Sequence, residues 1–389
     1  MGNYLKILHC VPDDKFIDGW IEQAQQMWKD CYHEYAFIAK KPNIEFKYIH
    51  NKDIIKRFGY HEIISYIKNK SFNIIILHNL YSIPFFDLLK IPKEIKVVWF
   101  AWGFDIYMPT YLVLRPLIKK DLLYSRTKQV KRSGFDSFKY NLQIQITKLI
   151  RFWHYKEMKA AIYRIDYFSG VIPEEYEMII TDKHNNHFRA KPLYFNYSNI
   201  KRKGHLNDPV VSGYNIQIGN SGDTTNNHID VMQMLLQFNL GNKKIYCPIS
   251  YSGPKYYREK VIKEGRRYFG ENFCPLVSFI PYDQYIKSLS STRYAIFAME
   301  RQQAMGNIIS GLWEGRMVFL SETNPVYSSL KKRGFIIYTI QHDLSRIERN
   351  EIMADEDVQI NRKQIIKYFS FEAELEKTEK IIKILQGSN

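Results

Sequence analysis

Short apolar runs rich in β-branched residues alternate with helical patterns along the first half of the chain. Two of these runs, IIIL at 74–77 and VVWF at 97–100, are apolar without interruption, as strands buried on both faces are. Such strands, alternating with helices, predict a parallel sheet covered by helices, which is the α/β class. The predicted strands are Tyr4–His9, Tyr35–Ala39, Ile44–Ile49, Asn73–Leu77, Ile95–Phe100 and Tyr167–Ile172.

A second α/β pattern follows a polar segment at 196–213, which carries two glycines and a proline and indicates a linker. We therefore predict a first domain at 1–200 with a helical insertion at about 111–165, a linker at 201–212, and a second domain at 213–389. The last helix could pack back on the first domain. Two such domains leave a cleft between them. The predicted strands are Tyr214–Gly219, Lys244–Cys247, Leu276–Ile280, Tyr294–Ala298, Met317–Leu320 and Phe335–Thr339, with helices near 224–238, 255–268, 282–290, 307–314, 325–332 and 360–386.

Charge suggests the kind of partner. The 389 residues are 45% hydrophobic, which excludes a disordered chain, and 56 Lys and Arg against 40 Asp and Glu give a net charge of +16. Residues 115–164 carry thirteen basic and three acidic residues. Within this basic segment the apolar positions recur at spacings of 4, 4, 3 and 4, which favours an amphipathic helix on an anionic membrane face. The alternative is a core-facing helix with a solvated basic face. The apolar positions are Phe138, Leu142, Ile146, Leu149 and Trp153.

Several other classes lack their sequence signals. The four cysteines show no metal or disulfide spacing, which indicates a reducing compartment. No targeting segment, stretch of ~18 apolar residues or nucleic-acid motif is recognised. The eleven histidines show no HxH or HExxH pairing, and the acidic cluster at 355–357 does not follow a predicted strand. We expect no metal, no cofactor and no nucleic acid.

The segment IQIGNSGDTTNNHID at 216–230 has the layout of a phosphate site. A buried strand ends at Gly219, and Gly219 and Gly222 let the backbone approach an anion closely. The N–H groups of the helix that follows favour negative charge. The alternative is an ordinary helix cap after a tight turn. Hydroxyls are available from Ser221, Thr224 and Thr225.

A second segment, FAMERQQAMGNIISGLWEGRMVFL at 297–320, is a strand, a polar turn and a glycine-containing helix. Arg301 could clamp a diphosphate, and Gln302 and Gln303 could bind sugar hydroxyls or a base. Glu314 could accept from ribose hydroxyls. Taken singly, each of these side chains could equally be a solvated surface group.

Two strand ends of the first domain carry possible acid–base groups. His78 follows the strand at 74–77, and Trp102, Gly103 and Asp105 follow the strand at 95–100. A carboxylate or imidazole there could accept a proton from an incoming hydroxyl. Alternatively, Asp105 caps a turn and His78 is a hydrogen-bonded loop histidine.

The chain resembles the TDP-N-acetylfucosamine:lipid II N-acetylfucosaminyltransferases of enterobacterial common antigen synthesis, glycosyltransferase family 56. The similarity runs from about residue 5 to residue 340. The chain has Ala304-Met305-Gly306 where the family has Gly-Ile-Gly. The resemblance rests on WFAWGFDIY at 99–107, IQIGNSGDTTNNHI at 216–229, PYDQYIKSLSSTRYAIFAMERQQAMGNIISGLWEG at 281–315 and FLSETNPVY at 319–327.

The resemblance implies a GT-B fold, a nucleotide-sugar donor on the C-terminal domain, and a polyprenyl-diphosphate-linked acceptor reached by the N-terminal domain at the membrane. It implies no metal requirement. We take Asp105, or failing that His78, as the catalytic base, and Trp102, Gly103 and Tyr107 as acceptor-side residues. The donor-binding candidates are Gly219, Asn220, Ser221, Gly222, Asp223, Thr224, Arg301, Gln302, Gln303, Gly306, Asn307, Glu314 and Asn324.

The expected activity is transfer of an acetamido- or deoxy-sugar from a dTDP- or UDP-sugar to the lipid-linked saccharide, in common antigen, capsule or O-antigen synthesis. The enzyme would work peripherally on the cytoplasmic face of the bacterial plasma membrane. The alternatives are a non-catalytic sugar-nucleotide-binding protein and, third, a basic nucleic-acid-binding protein.

Overall fold

The chain folds into two compact units. The computed structural model describes residues 4–107, 116–131, 142, 145, 146, 149, 152–195, 197, 206–278 and 282–387. The first unit combines Met1–Lys119, Leu142–Arg202 and Tyr368–Asn389, and the second combines Lys120–Asn141 and Lys203–Lys367. The predicted insertion is thus divided between the units, and the chain end belongs with the first unit rather than with residues 213–367.

The described part of the first unit contains a seven-stranded sheet in the order β3-β2-β1-β4-β5-β6-β7, and all its strand pairs are parallel. The strands are β1 Leu5–Cys10, β2 Cys31–Ile38, β3 Ile55–Phe58, β4 Ile74–Leu77, β5 Lys96–Phe100, β6 Tyr167–Ser169 and β7 Lys191–Pro192. The helices are α1 Ile17–Met27, α2 Glu62–Lys70, α3 Phe85–Leu88, α4 Gly103–Tyr107, α6 Tyr155–Tyr163, α7 Pro173–Thr181 and α15 Phe371–Gln386, with short 3-10 helices at Lys52–Ile54, Leu80–Ser82 and Lys183–Asn185.

The predicted strand at Ile44–Ile49 is wrong, and the edge strand is β3 instead. The carboxylate of Asp13 accepts hydrogen bonds from the backbone N–H groups of Lys47 at 2.7 Å, Tyr48 at 3.0 Å and Ile49 at 3.1 Å. These donors are therefore satisfied by one side chain rather than by a neighbouring strand.

The second unit repeats the architecture with a six-stranded parallel sheet, β10-β9-β8-β11-β12-β13, in its described residues. The strands are β8 Asn215–Ile218, β9 Ile245–Pro248, β10 Phe273–Leu276, β11 Thr292–Phe297, β12 Met317–Leu320 and β13 Tyr338–Thr339. The helices are α5 Ser125–Gln129, α8 His228–Leu235, α9 Lys255–Phe269, α10 Tyr282–Ser288, α11 Met305–Trp313, α12 Pro325–Lys332, α13 Ser345–Glu348 and α14 Asp355–Phe369, with 3-10 helices at Thr224–Asn226 and Gly270–Asn272.

The sheet order places a switch point in each unit, between β1 and β4 in the first and between β8 and β11 in the second. Chain connections leave in opposite directions there, which opens a crevice at the carboxyl ends of the strands. The strand predicted at Leu276–Ile280 ends earlier than expected, since β10 occupies Phe273–Leu276.

The last helix, α15, packs on the first unit. Ile381, Ile382 and Leu385 are buried in that unit's core. The side chain of Gln23 donates to Thr378 Oγ1 at 2.7 Å, and the indole of Trp28 donates to the Thr378 carbonyl at 2.8 Å.

Candidate functional site

The glycine loop, residues 219–227, begins at the carboxyl end of β8. Gly219 has φ +66°, and a Cβ atom there would lie 2.5 Å from Nε2 of His228. A Cβ atom on Gly253, which also has positive φ, would lie 1.8 Å from the carbonyl oxygen of Gly222. A side chain is excluded at Gly219 by the His228 and Asn226 side chains, and at Gly253 by the backbone of Gly222.

Side chains of the loop hold its backbone in place. The Asp223 carboxylate accepts from the backbone N–H of Thr225 at 2.9 Å and from its hydroxyl at 2.7 Å, which starts the 3-10 helix at Thr224–Asn226. Asn226 Oδ1 accepts from the N–H of Asn220 at 3.0 Å, and its amide donates to Ser221 Oγ at 3.2 Å. The helix predicted near 224–238 begins only at His228, because Asn227 has φ 53° and interrupts it.

The two donor-side motifs meet at Gln303. The side-chain amide of Gln303 lies 2.7 Å from Thr225 Oγ1 and 3.3 Å from the side-chain amide of Asn220, which is hydrogen-bond distance in both cases. Asn227 makes a second link, because its amide donates to the carbonyl of Ala298 at 2.7 Å. The structure thus brings together segments that lie about eighty residues apart in the sequence.

Arg301 and Gln302 lie buried beside this junction, 7% and 6% exposed, and Arg301 Nη1 donates to the Gln302 carbonyl at 3.1 Å. Asn324 caps α12 and donates to the carbonyl of Met299 at 2.8 Å, so it fixes the loop after β11 rather than facing solvent. The backbone before Arg301 is therefore fixed at Ala298 and Met299.

The first turn of α11 follows the loop. Ala304, at φ 60°, precedes the helix, so the position where the family pattern has glycine requires a left-handed backbone. Gly306 is exposed, with open space where a Cβ atom would be. Asn307 is half-buried and accepts from the Tyr285 hydroxyl at 2.9 Å.

Glu314 does not join the other donor-side candidates. It lies between the end of α11 and the start of β12, which is the amino-terminal edge of the sheet. There it accepts from Ser310 Oγ at 3.0 Å and pairs with Arg316 at 2.5 Å. We therefore do not assign it a contact with ribose.

Sequence reasoning missed Glu300, a buried carboxylate at the carboxyl edge of β11. It accepts from Tyr124 at 2.6 Å and from Ser321 and Thr323 at 2.5 Å each, and it pairs with Lys120 at 3.0 Å. Burial acts to raise the pKa of Glu300, but the three hydroxyl donors and the Lys120 charge outweigh it and hold the pKa below its usual value. In the sequence, Glu300 is marked only as a single acidic residue directly after the apolar residues FAM at 297–299.

Glu300 borders a cavity of about 360 Å³. The walls combine apolar side chains with a few polar groups, which is the usual composition of a small-molecule site. The lining residues are Asp121, Leu123, Tyr124, Met234, Glu300, Thr323, Ile340 and Gln341.

In the first unit, Asp105 is fully buried at the carboxyl end of β5. Its Oδ2 accepts from the N–H groups of Leu80 and Trp102 and from the indole of Trp99, each at 3.1 Å. Its Oδ1 has no hydrogen-bond partner among the described residues. Burial raises the pKa of Asp105 to about 7 against the opposing effect of the three donors.

His78 belongs to a hydrogen-bonded chain inside the same unit. Its Nδ1 lies 2.7 Å from the Tyr197 hydroxyl and its Nε2 lies 3.2 Å from His9 Nδ1. His9 Nε2 in turn lies 3.0 Å from His33 Nδ1. Burial lowers the pKa of His78 to about 3, so its imidazole is neutral.

The acceptor-side candidates surround Asp105 along the chain. Trp102 is half-buried and donates from its indole to the Tyr197 hydroxyl at 3.3 Å. Gly103 and Tyr107 are buried in α4. Only Trp102 of these three presents side-chain surface to solvent.

The basic segment exposes apolar side chains where the structure describes it. Leu142 and Ile146 are 51% exposed, Leu149 is 59% exposed, and Phe152 and Trp153 are 72% exposed. Phe138 lies outside the described residues. No helix in the described part of the chain is both long and apolar enough to span a membrane. The core-facing alternative is wrong for these five side chains.

The described residues contain no group of three or more His, Cys, Asp or Glu side chains arranged to hold a metal ion.

The close contact between Gly222 and Gly253 gives a prediction. Gly253→Ala should lower the free energy of unfolding by about 3 kcal/mol, which combines about 1 kcal/mol of backbone strain with the cost of overpacking. Gly241→Ala is the matched control, because Gly241 also has positive φ but a Cβ atom there meets nothing within 4 Å. Urea unfolding would measure both losses, and equal losses would contradict the packing argument.

Solved structures share this fold at low sequence identity. A glycosyltransferase from Rickettsia africae aligns with a TM-score of 0.62 at 12% identity over 100% of both chains. The lipopolysaccharide outer core galactosyltransferase WaaB, in its apo form, gives 0.60 at 11% identity over 97% of this chain and 99% of that one. HepE from Anabaena, in complex with UDP and glucose, gives 0.61 at 10% identity over 99% and 100%. The predicted GT-B fold, with two Rossmann-like domains, is confirmed.

A sequence model described as "4-alpha-L-fucosyltransferase glycosyl transferase group 56" matches residues 174–383, more than half of the chain. The match covers the glycine loop, the Arg301–Gln303 motif and Asn324, and it confirms the resemblance inferred from them. The chain belongs to glycosyltransferase family 56 and is a glycosyltransferase.

Proposed function

We propose that this glycosyltransferase moves an acetamido- or deoxy-sugar of the N-acetylfucosamine type from a dTDP- or UDP-sugar to a polyprenyl-diphosphate-linked saccharide. The pathway would be synthesis of a bacterial surface polysaccharide. The observation that carries this proposal is the joining of the glycine loop to the 301–303 motif through Thr225, Gln303 and Asn220. Such a junction at a sheet's carboxyl edge suits an anionic, sugar-bearing ligand.

The donor diphosphate would lie at the glycine loop. Arg301, which is buried in the loop after β11, would supply the positive charge. It would stabilise the leaving diphosphate electrostatically, so we expect no metal requirement. The nucleoside would occupy the cavity at Glu300, whose carboxylate orients the Tyr124 and Thr323 side chains of the cavity wall. HepE, which shares the fold, was solved with UDP and glucose.

Asp105 is the proposed base. The acceptor hydroxyl would attack the anomeric carbon of the donor while the bond from that carbon to the diphosphate oxygen breaks. The hydroxyl proton would pass to Asp105 Oδ1, the oxygen that has no partner among the described residues. With a pKa of about 7, the carboxyl group is substantially ionised at neutral pH and can also release the proton afterwards.

The donor site predicts a specific ligand response. A thermal-shift panel of dTDP, UDP, GDP, CDP and ADP, with and without magnesium, should show stabilisation by dTDP or UDP alone, unchanged by magnesium. A nucleotide at 100 times its dissociation constant adds about 2.7 kcal/mol of stability. Arg301→Ala should remove the stabilisation. The absence of any nucleotide effect at millimolar concentration would count against the donor assignment.

Asp105→Asn should reduce kcat by ~10²–10⁴ and leave nucleotide binding intact, because the amide cannot accept the proton. In the wild type, activity should rise with pH through about 7 as Asp105 loses its proton. Steady-state kinetics with a lipid-linked acceptor would measure both effects. Asp87→Asn is the control, since Asp87 is also fully buried but pairs with His61 at 2.7 Å. Unchanged turnover in Asp105→Asn would exclude it as the base.

The same exposed apolar side chains would place the acceptor side at a membrane. Five apolar side chains between 142 and 153 are at least half exposed, and the segment around them is strongly basic. Phe86, 37% exposed, extends the patch, since its ring lies 5.1 Å from that of His154. Apolar side chains flanked by Lys and Arg match a surface of anionic lipid.

Vesicle co-sedimentation would test the membrane contact. The wild type should bind vesicles containing phosphatidylglycerol, bind neutral vesicles less, and lose affinity as salt rises. Phe152→Ser with Trp153→Ser should weaken binding at all salt concentrations, because these are the most exposed apolar side chains. The control is Tyr32→Ser, at 51% exposure outside the patch. Equal binding to anionic and neutral vesicles would contradict an electrostatic contribution from the basic segment.

A further inference from the structure

One short segment of the first half of the chain packs within the second unit. We define residues 120–130 as the strap. In sequence the strap lies between β5 and β6 of the first sheet, yet Lys120–Asn141 belongs to the second unit, while Met1–Lys119 and Leu142–Arg202 belong to the first. The chain therefore leaves the first unit, contributes this segment to the second, and returns.

Two side chains of the second unit hold the strap by its backbone. Asp230 Oδ1 accepts from the N–H of Arg126 at 2.9 Å, and Oδ2 accepts from the N–H and hydroxyl of Thr127 at 2.9 and 2.7 Å. The carboxylate thus satisfies the first turn of α5 from another element. Asn227 Oδ1 accepts from the N–H of Tyr124 at 2.9 Å, and its amide donates to the carbonyl of Leu122 at 3.2 Å.

The strap also faces the cavity at Glu300. Asp121, Leu123 and Tyr124 line that cavity, and the Tyr124 hydroxyl donates to Glu300 Oε1 at 2.6 Å. Lys120 pairs with Glu300 Oε2 at 3.0 Å. Burial and the adjacent Glu300 raise the pKa of Tyr124, so its hydroxyl remains a donor throughout the physiological range. The strap therefore provides part of the cavity wall and orients its buried carboxylate.

We propose that the strap is part of the donor site, in which Tyr124 is a specificity-determining residue for the nucleoside and Asp230 is a positioning residue that acts through the strap. The inference rests on the proposed function, because the ligand is the donor's nucleoside. Tyr124, Leu123 and Ile340 present apolar surface to a planar base, while Glu300 holds the Tyr124 ring in place through its hydroxyl. The diphosphate binds elsewhere, at the glycine loop, so the strap governs recognition of the nucleoside alone.

The test compares two kinds of probe on the 389-residue protein, a nucleoside diphosphate and pyrophosphate. UDP, dTDP and inorganic pyrophosphate are titrated into the wild type, Tyr124→Phe, Asp230→Asn and Thr127→Val. Tyr124→Phe should weaken the tighter-bound nucleotide ~5–30-fold, since it leaves Glu300 without one of its donors, and should change pyrophosphate affinity less than ~2-fold. Asp230→Asn and Thr127→Val should also weaken nucleotide binding more than pyrophosphate binding, although neither residue lines the cavity. Tyr214→Phe, 48% exposed, is the control and should change neither affinity.

Lys120→Met is a second variant for the case that the others fail to fold. Lys120 also pairs with Glu300, but its side chain is 20% exposed, so its replacement should disturb the fold less. It should also weaken the nucleotide more than pyrophosphate. Equal weakening of both probes, or no weakening of the nucleotide in any strap variant, would overturn the strap's role while the proposed function stands. A wild type that binds neither nucleotide would instead overturn the proposed function, and the strap's role with it.

Discussion

The side-chain amide of Asn227 joins three backbone segments of the second unit. Its Nδ2 lies within hydrogen-bond distance of the carbonyls of Ala298 and Leu122, and its Oδ1 accepts from the N–H of Tyr124. None of these segments is paired in a β-sheet at these positions. Replacing Asn227 by an apolar residue would therefore leave buried backbone groups without hydrogen-bond partners. The glycine loop, the loop after β11 and the strap are therefore tied to one another through this amide. Its left-handed backbone also fixes where α8 begins, because the helix can start only after it.

A second asparagine repeats this arrangement two strands further along the sheet, after β12. Asn324 caps α12 and donates to the carbonyl of Met299, directly after the Ala298 carbonyl that Asn227 binds. Two consecutive carbonyls are thus held from opposite sides, and Glu300 and Arg301 follow at once. The backbone that carries the Glu300 carboxylate and the Arg301 guanidinium is therefore fixed by Asn227 and Asn324, which helps to hold both buried groups in position. Glu300 thereby lines the cavity, and Arg301 is two residues from Gln303, which contacts the glycine loop.

The sequence predicted what depends on local pattern. Uninterrupted apolar runs identified β4 and β5, and the strand predicted at Met317–Leu320 and the helix predicted near 325–332 are β12 and α12. What it missed depends on distant partners. Asp13 satisfies the backbone at 47–49 from more than thirty residues away, so an apparent strand is a loop. Glu300 lines the cavity only because the strap and the loop after β12 converge on it. Glu314 is not part of the donor site, because the nine-residue helix α11 places it at the opposite edge of the sheet.

The choice of Asp105 over His78 follows from where protons can reside. The indoles of Trp20 and Trp102 can only donate, to His9 Nδ1 at 3.1 Å and to the Tyr197 hydroxyl at 3.3 Å, and the Trp28 carbonyl beside His33 can only accept. His9 Nδ1 must therefore be unprotonated, so His78 carries its proton on Nε2 and accepts from Tyr197 on Nδ1. A further proton on His78 would set two donors against each other inside a buried chain. Asp105 Oδ1 meets no such conflict among the described residues, because it can gain a proton without displacing an existing hydrogen bond.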